Sequence, residues 1–152
     1  MSSDFSSSNN DSDLETKTIN LLKAKGLSVT TARKLVLSLL LKEPRPFSAE
    51  EIFKKLPTNS CDQATVYRCV NQFVESQLVS TVHLEKEMVH FEFNDPNHHY
   101  HHIICKICKN IDSFHDCIMD KIETSLLKKG YIEIQHRLEF FAICENCQKG
   151  IL

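Results

Sequence analysis

The sequence predicts an α+β chain, an N-terminal winged helix-turn-helix followed by a small α/β unit. Three observations predict it. Helix-period segments succeed one another from about residue 14 to residue 77, and the last has an outer face of long hydrogen-bond donors. Two β-branched, aromatic segments follow directly. A His- and Cys-rich run then opens a second region in which strands flank a helix.

Residues 1–13, rich in Ser, Asn and Asp, read as a disordered, solvated leader. The stretch "MSSDFSSSNNDSDLETK" has neither a basic n-region nor an apolar h-region, so no secretory signal is expected. A short helix is expected over Leu14–Lys25. In "TTARKLVLSLLLKE" the residues Ala32, Leu35, Val36, Leu39 and Leu40 follow the i, i+3, i+4, i+7, i+8 spacing of one helix face. Thr30 or Thr31 can cap that helix and Pro44 ends it. "FSAEEIFKKLP" opens with a capping box, Ser48 with Glu51, before a buried face of Ile52, Phe53 and Leu56.

The segment "SCDQATVYRCVNQFVESQLVS" predicts a fourth helix with Val66, Val70, Phe73 and Val74 on one stripe. Gln63, Thr65, Tyr67, Arg68 and Asn71 occupy the other face, which carries donors and no carboxylate. "LVSTVHLE" and "EMVHFEFN" predict a two-stranded hairpin, the wing. "NDPNHH" marks a boundary, so residues 14–95 form the winged-helix domain and 96–152 a second one. There "YHHIICKI" and "KNIDSF" predict short strands and "HDCIMDKIETSLLKKG" a helix. "YIEIQHRLEFFAIC" alternates as a strand with Ile132, Ile134, His136, Leu138 and Phe140 on one face. About 55 residues are few for an independent core, so this region needs a staple or a partner subunit.

Charge is unevenly spread along the chain. The whole carries a formal −2, but residues 14–60 hold nine Lys and Arg against four Glu, a local +5. Residues 96–152 hold seven of each sign. A basic stretch confined to 14–60, with 14–95 as a whole close to neutral at eleven basic against ten acidic residues, fits the opening helices of a DNA-reading module joined to something else. No apolar run approaches the roughly 20 residues of a membrane span.

The second region concentrates ligands. Residues 98–108, "HHYHHIICKIC", hold four of the eight histidines and two of the seven cysteines. Four cysteines form two CxxC pairs, Cys105 with Cys108 and Cys144 with Cys147. Two residues between thiolates let both reach one tetrahedral ion about 2.3 Å away, and two pairs complete a closed, structural zinc site. Cys69 and Cys117, inside expected helices, read as small buried hydrophobes. On a strand His99 and His101 share a face. With His136 and the oxygen donors Glu92, Asp112 and Asp120 they suit a borderline divalent ion such as Fe2+, Zn2+ or Mn2+.

Three stretches, "ATVYRCVNQF", the His-rich run into "IICKIC", and "HRLEFFAICENC", together resemble the ferric uptake regulator (Fur) family of bacterial metalloregulators, over about residues 20–148. The resemblance implies a winged-helix DNA-binding domain, a C-terminal α/β dimerisation domain, a four-cysteine zinc and one or two regulatory metal sites. It puts the recognition helix at about Asp62–Gln77, with Tyr67 on bases and Arg68 on phosphate, and matches Arg33 to the family's arginine. It places His136 and Asp120 in the dimer-domain metal site. The sequence departs from the family where a histidine usually precedes the "SAE" helix, since Pro46 stands there; His83 and His90 are the histidines on the wing. The His run is one residue longer than usual. Aligning from Glu92 puts the regulatory ligands on His99 and His101, whereas aligning back from Cys105 puts them on Tyr100 and His102. The first register is preferred because a tyrosine is a poor ligand for a divalent regulatory ion. The carboxylate of the following strand is displaced to Asp112, with Ser113 in its place.

The expectation is therefore a cytoplasmic, metal-responsive repressor that binds a palindromic double-stranded DNA operator as a homodimer. A zinc hydrolase or deaminase is the rival, since "HFE" at 90–92 precedes Cys105-x2-Cys108. It lacks the Pro before the first cysteine and leaves the second CxxC without a role. A thiol-disulfide oxidoreductase fares no better, because neither CxxC opens a helix after a buried strand. A zinc-stapled scaffold without DNA is the third reading.

Overall fold

The computed structural model describes residues 7–83, 88–95, 101–114, 119–134, 136 and 138–150, without the side chains of 7–10. His98, His99, Tyr100 and Cys117 lie outside the described residues. The chain divides into two compact units, Met1–Asp95 and Pro96–Leu152. Each is an α+β assembly around its own three-stranded sheet.

The first unit runs α1 (Ser7–Ala24), α2 (Thr31–Lys42), β1 (Phe47–Ser48), α3 (Ala49–Lys55), α4 (Gln63–Glu75), β2 (Val79–His83) and β3 (Val89–Phe93). The helix α1 begins at Ser7, inside the stretch read as leader. Once Leu22 and Thr18 are packed, extending a helix by further residues costs little. Thr30 caps α2, its hydroxyl accepting from the Arg33 N–H. The Ser48 capping box of α3 forms in full: Ser48 Oγ accepts from Glu51 N–H, and Glu51 accepts from Ser48 N–H at 2.8 Å.

The core joins Leu22 of α1, Val36, Leu37 and Leu40 of α2, Ile52 of α3, and Val66, Cys69, Val70 and Phe73 of α4. Leu37 lies off the single stripe that periodicity gives, because α2 packs against both α1 and α4. Phe53 is a correction: it is exposed, since a seven-residue helix with Ala49 and Ile52 inward leaves the adjacent position outside. The short strand β1 is not visible in the periodicity. It adds Phe47 to the core by pairing with β3 opposite Phe91, giving the antiparallel order β1-β3-β2.

The second unit runs β4 (His101–Cys105), β5 (Ile111–Phe114), α5 (Asp120–Lys128), β6 (Glu139–Ala142) and α6 (Glu145–Gln148). β4 is central, antiparallel to β5 and parallel to β6. The strand expected over Tyr131–Cys144 is correspondingly shorter. β6 starts at Glu139 because β4, its only neighbour among the described residues, offers partners from His102 to Cys105. Among the described residues no helix is long and apolar enough to cross a membrane.

Candidate metal centre

The parallel pairing of β4 and β6 brings the two CxxC pairs together. Cys105 ends β4 opposite Ala142, and two residues further on Cys144 caps α6, with Cys147 in its first turn. The Cys105 carbonyl accepts from Lys109 N–H and the Cys144 carbonyl from Cys147 N–H, so each pair is wrapped into a tight turn. The four Sγ atoms all lie within 4.8 Å of one another. Cys108 and Cys144 Sγ are 3.7 Å apart. A zinc ion with four bonds of about 2.3 Å sets its sulfurs about 3.8 Å apart, whereas a disulfide needs about 2.05 Å. All four are free thiols at the zinc spacing.

Their electrostatics point the same way. The Cys105 thiol is lowered to about 6, foremost by the Cys144 N–H donated to its sulfur at 3.4 Å and then by the Cys108 N–H. The Cys147 thiol is pushed up to about 12, foremost by its hydrogen bond with Cys144 and then by burial. One thiolate is welcomed and the last is resisted, which is what crowded anions do without a cation among them. A divalent ion removes that resistance and holds all four as thiolates. The cluster fits a structural zinc, and the unit around it has only a small core for the ion to staple. Among the described residues its buried apolar side chains are Ile104, Cys105 and Ile111, against fifteen in the first unit.

A second set of donors lies on one face of the same sheet. His101, at 3% exposure, faces Phe114 across the β4–β5 pair, with ring centroids 5.4 Å apart. The His136 ring lies 5.5 Å from that of His101. Two imidazoles sharing a tetrahedral ion through bonds of about 2.1 Å have centroids about 5 Å apart, so this spacing suits a shared ion. His136 Nδ1 is 2.9 Å from Glu123 Oε1 on α5. Glu123 is absent from the ligands that the sequence suggested, although it sits one helical turn beyond Asp120 and shares its face. That amphipathic spacing was the available signal.

The other residues singled out in the sequence are distributed as follows. Asp120 is exposed at the start of α5, and Asp112 is exposed on β5 opposite Ile103. His102, on the face of β4 opposite to His101, pairs in register with Ser113 and Glu139. Glu92 belongs to the first unit, on β3 opposite Ser80. Pro46 is buried there ahead of β1. His90 pairs with Ser48, and its Nδ1 lies 3.1 Å from the Met88 carbonyl.

The nucleic-acid candidates gather on α4. Asp62 caps it by accepting from Thr65 N–H at 2.7 Å. Gln63, Tyr67, Arg68 and Asn71 are exposed on its outer side, with no acidic side chain within the helix before Glu75. Arg68 Nη2 donates to Thr65 Oγ1 at 2.9 Å. Arg33 is held: its Nε and Nη2 donate to Gln72 Oε1 at 3.1 and 2.6 Å, and its Nη1 donates to the Ser28 carbonyl and hydroxyl. That arrangement braces α4 against α2.

Comparison with known proteins agrees with this geometry. Residues 24–141 match the ferric uptake regulator family. The ferric uptake regulation protein of Bordetella parapertussis is 32% identical over 133 residues, covering 85% of this chain and 95% of that one. The crystal structure of the Vibrio cholerae ferric uptake regulator superposes with a TM-score of 0.67 at 32% identity, covering 82% of this chain and 98% of the other. The Helicobacter pylori regulator, described as having three functional metal binding sites, gives 0.67 at 25% identity over 90% of this chain and 93% of its own. The chain belongs to the ferric uptake regulator family, whose members are metal-responsive transcriptional regulators and not enzymes.

Proposed function

We propose that the chain is a cytoplasmic repressor that binds a palindromic operator as a homodimer and responds to a second divalent ion, Fe2+, Zn2+ or Mn2+. The observation that carries this reading is the outer face of α4, where Gln63, Tyr67, Arg68 and Asn71 stand exposed with no acid among them. A donor-rich, acid-free helix face suits the major groove and its phosphates. Tyr67, at 47% exposure, and Gln63 would meet base edges, Arg68 and Thr65 the backbone, and Arg33 would fix the helix that presents them. Two copies related by a two-fold axis read two half-sites, hence a palindrome.

Apolar exposure on the second unit supports the dimer. Leu127, Tyr131 and Ile132 are 58%, 61% and 80% exposed in the single chain, and Phe140 and Phe141 are exposed as well. A unit with so small a core gains most by covering that surface with its own copy. Zinc on Cys105, Cys108, Cys144 and Cys147 would hold the unit in the shape that pairs. The second ion would draw on His101, His136 and Asp120, with His99, Asp112 and Glu92 as further candidates. It would shift the population towards the DNA-competent arrangement by as much as it prefers that arrangement.

The test is duplex binding by zinc-loaded protein, followed by fluorescence anisotropy with and without added Fe2+, Mn2+ or Zn2+. The expected result is one dimer per palindrome, affinity altered at least fivefold by one of the ions, and a steep loss of affinity with salt. Equal binding to a half-site duplex, or no response to any ion, would overturn the reading.

A further inference from the structure

His136 and Glu123 of α5 are in direct contact, 2.9 Å from Nδ1 to Oε1. An ionised carboxylate only accepts, so His136 Nδ1 must carry the proton. In a neutral imidazole that leaves the lone pair on Nε2. Nδ1 then serves the carboxylate and Nε2 is the ring's remaining donor atom, in a ring whose centroid lies 5.5 Å from that of His101. A metal-ligating histidine commonly has this arrangement, in which the second nitrogen donates to a carboxylate that fixes tautomer and ring orientation.

We propose that Glu123 is the positioning residue of the second metal centre: through Nδ1 it holds His136 as an Nε2 donor towards His101, while Asp120, one turn earlier on α5, is left to supply the carboxylate oxygen. This rests on the reading of a second, borderline divalent ion at that face. The helix makes the division of labour possible. Residues 120 and 123 are about one turn apart on the same side, so one can reach the ion while the other reaches the imidazole behind it. His136 is largely covered, with a side-chain exposure of 15%, so its ring has little water to replace a lost partner. The plainer reading makes the pair an anchor that ties α5 to the sheet, without consequence for metal.

The two are separable in the full-length, zinc-loaded protein. Co2+ alone serves as the probe, its affinity read by calorimetry and its ligand set by the visible absorption bands. The His136 tautomer is read separately by long-range 15N–1H NMR before Co2+ is added. Glu123→Gln keeps an oxygen that accepts from Nδ1 but removes the charge; Glu123→Ala removes both. The expectation is a single Nδ1–H tautomer in wild type and in Glu123→Gln, and a mixture in Glu123→Ala. Co2+ affinity should fall severalfold in the first variant and about 10- to 100-fold in the second, with the shape of the absorption bands preserved in both. Asp120→Asn, by contrast, should change the bands.

Unweakened Co2+ binding in Glu123→Ala, alongside its loss in His136→Ala, would remove the inference and leave the second ion standing. Bands that change in Glu123→Gln would make Glu123 a ligand and equally overturn the positioning role. A wild type that binds no second ion removes the inference together with the reading beneath it, a result that the His136→Ala comparison tells apart from the other two.

Discussion

Cys105 and Cys147 face the same neighbours and ionise at opposite ends of the scale. In reduced, metal-free protein this has a definite consequence for stability. Cys105 drops from 9.0 to about 6, so between those values the unfolded chain holds a proton that the folded chain has released, and stability rises with pH. Cys147 climbs from 9.0 to about 12, so above pH 9 the folded chain keeps a proton that the unfolded chain has lost, and stability falls. Scanning calorimetry of the stripped protein should therefore show its highest melting temperature near pH 9, with that maximum abolished by zinc. A profile flat from pH 6 to 11 would contradict the assignment. The cysteines were legible in the sequence because CxxC spacing constrains the thiols locally, whatever the fold. Glu123 was not: its meaning depends on a contact with His136, thirteen residues away, that only the packing of α5 creates.

Elements divide in the same manner between local and non-local causes. The helix α3 was readable because a capping box is a four-residue device, and the reciprocal bonds of Ser48 and Glu51 form as the spacing requires. Ser48 is itself buried, so losing its hydroxyl strands the Glu51 N–H. Ser48→Ala should cost about 1 kcal/mol of first-unit stability, measured by urea denaturation, and Ser48→Asp should recover most of it. A change below a few tenths would mean that the cap contributes nothing. The strand β1 was unreadable because two residues have no period, and it exists only because β3 offers an edge opposite Phe47 and Ser48. β6 was overestimated for the converse reason. Alternation continues from Ile132, but pairing needs a neighbour, and β4 supplies one for four residues. Among the described residues no strand pairs with Ile132, which is left exposed.

At the scale of the molecule, that exposure carries the proposed homodimer. Ile132→Glu places a carboxylate at the most exposed of the second unit's described apolar side chains and should turn the protein monomeric in light scattering, while zinc content stays at one ion per chain. DNA affinity should then fall by at least tenfold, because each recognition helix must find its half-site alone. A dimer that survives the substitution would locate the contact elsewhere. The basic stretch at 14–60 was legible from the outset, since charge is a property of sequence alone; the faces along which copies meet are properties of folded surfaces.

The parallel pairing of β4 with β6 has one more consequence, best put in polymer terms. Parallel neighbours cannot be joined by a tight turn, so the chain builds β5 on the other edge of β4 and then α5 before it returns as β6. The two thiol pairs stand at the ends of that excursion, Cys108 and Cys144 being 36 residues apart. A bond across such a loop removes from the unfolded chain conformational freedom worth between about 3 and about 5 kcal/mol on the cross-link model. The ion is thus a knot tied where the chain is otherwise freest, and it acts as much on the states that the unit must avoid as on the one it adopts.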